Sequence, residues 1–188
     1  MNKFYVPDLY KCTIHLSKVA SNKILPELIL TNARILSTYT DRFLSDKEIW
    51  ISKGRIACIK PSGTAKKIFN IKDLNIIDVE SNILAPGLID PHMHIESSMM
   101  TGCAYAEPAL LNGTTTIFCD SHEIGNVCDT DGIEWMLKDC RQSPLSIFLT
   151  LPSTIPATNN KLETSGGILT PKNASKLFDK WPEILGLG

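Results

Sequence analysis

The sequence predicts an α/β fold, on three observations. Short apolar strand segments alternate with helical segments from residue 88 onward. That alternation builds parallel βαβ units, either doubly wound or closed into a barrel. The strand segments are apolar on both faces, as a sheet covered by helices requires. Before residue 85 the alternation is missing, and the chain reads as β structure with a hairpin signal.

Residues 28–36, Leu-Ile-Leu-Thr-Asn-Ala-Arg-Ile-Leu, are expected as one strand. Residues 48–52 and 55–59 flank Lys53-Gly54, a short glycine-bearing loop, and so predict a hairpin. Residues 75–79 form another short strand segment, whereas residues 1–20 mix helix and loop signals and stay unassigned. The pattern changes at Ala85-Pro86-Gly87. Leu88 to Ile95 reads as a strand entering a loop, and residues 104–111 as a short helix ended by Asn112-Gly113. Pro108 is expected in its first turn or at a kink, because proline lacks an amide proton. Residues 114–120 are β-branched and aromatic, hence a strand. Residues 132–142 carry Ile133, Met136, Leu137 and Cys140 at helical spacing. A strand at 145–150 follows, then a helix at 173–180 with Asn173 as its cap, then a fourth strand from Ile184. The last residue falls inside that strand, and the expectation is a truncated chain, inactive by itself.

Composition narrows the function. The chain has 188 residues, 43% hydrophobic and 21% charged, which suits a protein that buries a core. A formal charge of −1 offers no basic field for nucleic acid. No apolar run approaches the roughly 20 residues of a membrane helix, and no secretion signal is visible. Six cysteines show no C-x2-C or C-x4-C spacing, so reduced thiols and a cytoplasmic location are expected.

Three of the four histidines, His92, His94 and His122, lie within one short stretch. On a strand, residues i and i+2 share a face, so His92 and His94 converge and can share a metal ion. Asp90 is expected on the same face. The pair sits where a strand meets a loop, the end at which barrel enzymes place their chemistry. The plainer alternative is two surface histidines on an edge strand. Asp120-Ser121-His122-Glu123 follows the second strand at the same end, with helix capping as its plainer reading. Two other patterns fail. His94-Ile95-Glu96 lacks the P-C-x-x-C partner of the zinc deaminases. His122-Glu123 has Asn126 where a zincin helix needs a second histidine. Gly186-Leu187-Gly188 is too short to count as a dinucleotide fingerprint.

Ala85 to His94, Ala-Pro-Gly-Leu-Ile-Asp-Pro-His-Met-His, resembles the barrel entry of the amidohydrolase superfamily. Five further blocks resemble the bacterial adenine deaminases: His94 to Met100, Gly113 to Thr116, Asp120 to Val127, Leu151 to Thr158, and Leu162 to Gly167. The resemblance runs from about residue 25 to the end. It departs at Ser121 and Gly102, where proline is usual, and at Cys128-Asp129.

The resemblance implies the first half of an amidohydrolase-type (β/α)8 barrel, preceded by part of a small β-sandwich. The corresponding boundaries are an extension at 1–24, the partial sandwich at 25–84, and barrel strands one to four at 85–188. His92 and His94 match the metal-binding pair, and His122 and Glu123 are the expected catalytic residues bordering metal or purine. The implied cofactor is a divalent metal, manganese first, with iron or zinc as alternatives. The implied reaction is metal-assisted hydrolysis of adenine to hypoxanthine and ammonia. Expected partners are adenine and either a homo-oligomer or a second chain supplying the missing barrel half. Alternatives are another metal-dependent amidohydrolase acting on a cyclic amide, and a non-catalytic remnant.

Overall fold

The computed structural model describes residues 7–159 and 161–188. They fall into two compact units that divide between Pro86 and Gly87.

The first unit opens with helix α1 (Leu9–Ala20), followed by β1 (Leu28–Thr31), β2 (Arg34–Ser37), β3 (Arg42–Leu44), β4 (Lys47–Ser52) and β5 (Arg55–Pro61). Helix α2 (Thr64–Ile68), β6 (Ile76–Asp78) and β7 (Ile83–Leu84) complete it. Two sheets result, in the orders β5-β4-β1-β6 and β3-β2-β7. The expected hairpin is β4–β5, paired antiparallel from Lys47↔Pro61 to Ser52↔Arg55. Lys53 and Gly54 both take positive φ, 55° and 67°. That turn matches the twist of the flanking strands.

The single strand expected at 28–36 is in fact two. Asn32 turns the chain at φ 56°, a conformation asparagine tolerates. Its side-chain amide donates to Asp78 Oδ1 at 2.8 Å, so β1 and β2 part into different sheets. Helix α1, unassigned from sequence, buries only Cys12 and Val19 while exposing Leu9, Tyr10 and Ile14. Its apolar residues therefore show no clean periodic face. The remainder of the unassigned stretch, residues 1–6, lies outside the described residues.

The second unit alternates throughout: β8 (Leu88–Met93), α3 (Gly102–Leu111), β9 (Thr114–Asp120), α4 (His122–Cys140), β10 (Ser146–Leu151), α5 (Pro171–Lys180) and β11 (Ile184–Leu187). All pairings are parallel, and spatial order follows chain order, β8-β9-β10-β11. Alternate residues Ile117 and Cys119 of β9, and Ile147, Leu149 and Leu151 of β10, are fully buried. They cluster with Ile133, Met136, Leu137 and Cys140 of α4, Ala106 and Ala109 of α3, and Leu177 of α5. The residues between them face the other side of the sheet, where Phe118 and Phe148 stack with centroids 5.6 Å apart.

Pro108 sits inside α3, past its first turn. Two other local expectations change. Thr170, not Asn173, caps α5; its hydroxyl accepts from the Asn173 amide at 3.2 Å, and Pro171 follows in the first turn. Helix α4 begins ten residues before the expected start and breaks at Cys128 and Asp129, the latter at φ 54°, ψ −150°. The break hid its first segment from a periodicity reading.

That first segment, 122–127, is clasped by the loop joining β10 to α5. The Gly166 amide donates to the Asn126 carbonyl at 2.7 Å, and the Ser165 hydroxyl to the same oxygen at 3.2 Å. These donors satisfy backbone freed at the break. Gly166 and Gly167 permit the approach: a Cβ on either would lie 2.2 Å from Val127 O or 2.3 Å from Gly125 O.

None of the six cysteines is joined in a disulfide, and burial pushes Cys140 up to about 12. No helix among the described residues is long and apolar enough to cross a membrane.

Candidate metal and active site

The histidine pair stands at the carboxyl end of β8, at one edge of the parallel sheet. Their rings lie edge to face, with centroids 5.2 Å apart. Asp90 does not join them as expected. It is in register with Ile117, whereas Met93 is in register with Cys119, so β8 carries one extra residue between these pairs. Strict alternation is thereby lost between Asp90 and Met93. Asp90 Oδ1 instead accepts the His92 backbone amide at 3.1 Å.

Beyond His94 the chain makes a single 3-10 turn, Glu96–Ser98. This turn and the start of α4 hold each other at two points. Glu96 Oε1 accepts the Ile124 amide at 3.2 Å. The cap residue Ser121 makes no side-chain cap bond, so Glu96 supplies the carboxyl that a helix start favours. In the opposite direction, Ser97 Oγ donates to Glu123 Oε1 at 2.8 Å. The other oxygen, Glu123 Oε2, lies 2.8 Å from His94 Nδ1.

The charges follow from these contacts. The Glu123 hydrogen bond pulls the His94 imidazole above its ordinary value, outweighing burial. Burial alone would raise Glu123, but bonds from His94 and Ser97 outweigh it and hold the carboxyl below its ordinary range. Burial pushes Glu96 up, against the backbone amides of Glu96 itself and Ile124. An ionised Glu123 can only accept, so a neutral His94 keeps its proton on Nδ1 and presents Nε2 as a lone-pair donor. Metal-binding histidines are oriented in this way by a carboxylate on the second nitrogen. The donor chemistry therefore fits a divalent ion as far as it goes. Two imidazoles are present, and among the described residues no three His, Cys, Asp or Glu side chains are placed to share one ion.

Of the expected site residues, His92, His94 and Glu123 come together. His122 opens α4 beside Glu123, and no hydrogen bond joins it to that cluster among the described residues. Two further residues belong to the site: Ser97, which was not expected there, and Asp120, already named from sequence at this end of the second strand. Ser97 had only its place in the His94 to Met100 block as a signal. Asp120 follows Cys119, which is level with Met93, and so stands beside His94; it is 6% exposed, with Oδ1 buried and unpartnered. Thr150, its register partner on β10, also has a buried hydroxyl without a partner among the described residues.

Known proteins are similar to this chain in sequence and in fold. The chain is 58% identical to an adenine deaminase 2 from Bradyrhizobium sp. strain ORS 278, over all 188 residues. It is 57% identical to an adenine deaminase 3 from Rhizobium johnstonii over the same span. A Thermosipho melanesiensis adenine deaminase is 41% identical over 172 residues, 90% of the chain and 28% of the relative. The chain spans about 31% of the length of the first two relatives. Among solved structures, a mutant atrazine chlorohydrolase from Arthrobacter aurescens, complexed with zinc and atraton, superposes with a TM-score of 0.63 at 16% identity. It covers 81% of this chain and 43% of its own. A β-aspartyl dipeptidase from Fervidobacterium islandicum gives 0.51 at 16%, covering 86% and 40%. At these identities the likeness is one of fold. The sequence model of the amidohydrolase family matches residues 83–185, the parallel unit with the histidine pair and its Glu123 support, and on that match the chain belongs to the amidohydrolase family.

Proposed function

We propose that this chain carries the first part of a metal-dependent adenine deaminase, which converts adenine and water to hypoxanthine and ammonia. The observation that carries the reading is the His92–His94 pair with Glu123 fixed on Nδ1 of His94. The names of relatives 57–58% identical over the whole chain support adenine as the substrate. In this reading residues 85–188 are strands one to four of a (β/α)8 barrel. The sequential parallel order without reversal supports that assignment. Residues 25–84 form part of a β-sandwich, and residues 1–24 an extension. The protein works in purine metabolism in the cytoplasm.

His92 and His94 would hold the ion, manganese first, with iron or zinc as alternatives that imidazole also suits. When bound, the ion would supply Lewis acidity and activate water near neutral pH. Catalytic sites usually take three or more protein ligands, so donors beyond this pair come from further sequence or a partner chain. Both oxygens of Glu123 are occupied, which suits it to orienting His94. His122 is the group assigned to proton handling as the C6–N bond breaks and ammonia leaves.

The test is a substrate comparison on the full-length, manganese-loaded protein. Ammonia and hypoxanthine from adenine, with a cyclic amide such as hydantoin untouched, is the expected result. Ring opening of hydantoin without adenine turnover would replace this reading with that of a cyclic amidohydrolase. Turnover of neither substrate by metal-loaded protein would favour a non-catalytic remnant.

A further inference from the structure

We propose that Ser97 is a positioning residue of the metal site, acting through Glu123 on His94. The inference rests on the metal reading of the His92–His94 pair.

Glu123 hangs from the first turn of α4, and 43% of its side chain is exposed. A carboxylate so placed rotates freely unless both oxygens are held. The imidazole holds Oε2 at 2.8 Å, and Ser97 holds Oε1 at 2.8 Å. Two donors in different directions fix the plane of the carboxylate, which rotation about its last bond would break. A fixed Glu123 in turn keeps the proton of His94 on Nδ1 and aims Nε2 away from the helix. Without Ser97, one anchor is lost and Glu123 competes with water for its orientation.

The backbone around Ser97 is already set. Glu96, one residue earlier, reaches α4 at the Ile124 amide. Ser98, one residue later, spends its hydroxyl on the Ile95 carbonyl. Ser97 alone in this turn directs its hydroxyl to the group that supports a metal-binding histidine, and Ser98 provides a matched control.

The experiment compares Ser97→Ala, Ser97→Thr and Ser98→Ala in the full-length protein. Manganese affinity is read by chelator competition, and adenine turnover is split into kcat and KM. The protonation site of His94 is read by nitrogen NMR of the metal-free protein. Removing a group that supports a metal ligand typically costs about 10- to 100-fold in affinity or activity. With Glu123 still held by His94, Ser97→Ala is expected at the lower end, about 10-fold in manganese affinity. Its His94 signal should show a mixture of tautomers, Ser97→Thr should restore both readouts, and Ser98→Ala should match the parent. Parent-like affinity and tautomer in Ser97→Ala would overturn the proposal. Equal losses in Ser97→Ala and Ser98→Ala would also overturn it, since they would report a loosened turn. If the parent itself takes up no manganese, the metal reading falls. The tautomer comparison, made without metal, still decides whether Ser97 orients His94.

Discussion

Replacing Gly167 with alanine should loosen the helix start that carries His122 and Glu123, although Gly167 lies more than 40 residues away in sequence. The added Cβ would sit 2.3 Å from the Gly125 carbonyl oxygen, 2.8 Å from Asp129 Cα and 3.0 Å from Asp129 N. All three are backbone atoms, so no side chain can swing aside. The closest contact must open by about 1 Å to reach ordinary van der Waals separation. A shift of that size carries the loop off the helix and breaks both bonds to the Asn126 carbonyl, from Gly166 at 2.7 Å and Ser165 at 3.2 Å. Two such bonds contribute about 1–3 kcal/mol. Each kcal/mol corresponds to a factor of about 5 in the local opening equilibrium. Hydrogen exchange at the Gly166 amide is the direct assay, and should quicken by about 5- to 150-fold. Manganese affinity should fall in parallel, because Glu123 belongs to the loosened segment. Parent-like protection at Gly166 would show that the clasp contributes nothing, and the account of α4 would fail.

The other predictions concern charge and burial. The His94–Glu123 pair should stabilise the metal-free protein within a defined pH window. A raised histidine contributes fully below its ordinary value of 6.5 and loses its contribution as pH rises through the folded value. A depressed carboxyl contributes above 4.5 and loses its contribution as pH falls through the folded value. The difference in stability between parent and Glu123→Gln should therefore peak between 4.5 and 6.5. Partial exposure limits it to about 0.5–1 kcal/mol. A difference that is flat with pH would count against the pair. Metal affinity should instead rise with pH through the folded value of His94, since binding displaces its proton. In the first unit, Glu48→Ala should destabilise by about 3 kcal/mol or more. It strips the acceptor from Trp50 Nε1 and from the amides of Gly63 and Ala65, all within 2.8 Å of a buried carboxylate. Urea unfolding indistinguishable from the parent would refute that.

The parallel unit was legible because short apolar strand runs alternate with helical segments; Ile117 and Cys119, then Ile147 and Leu149, lie on the face that those helices cover. The hairpin was legible because Lys53-Gly54 names its own turn. Elements set by long-range contacts were not. Asn32 splits a continuous β-compatible run by bonding Asp78, 46 residues away. The first turns of α4 lie beyond a break that depends on Ser165 and Gly166. At the site, i and i+2 spacing placed His92 and His94 correctly side by side, but the extra residue in β8 removed Asp90, and an irregular register cannot be seen in a strand's own composition. Ser97 was hidden for a similar reason: its partner, Glu123, is 26 residues downstream.

The proposal that His92 and His94 hold the ion on which adenine deamination depends is tested by measuring metal content and ammonia release together, on the same dialysed, full-length samples of the parent, His92→Ala and His94→Ala. The parent should retain manganese and release ammonia from adenine, and each variant should lose both together. Variants that turn over adenine at the parent rate with a full complement of metal would rule the pair out as its holders.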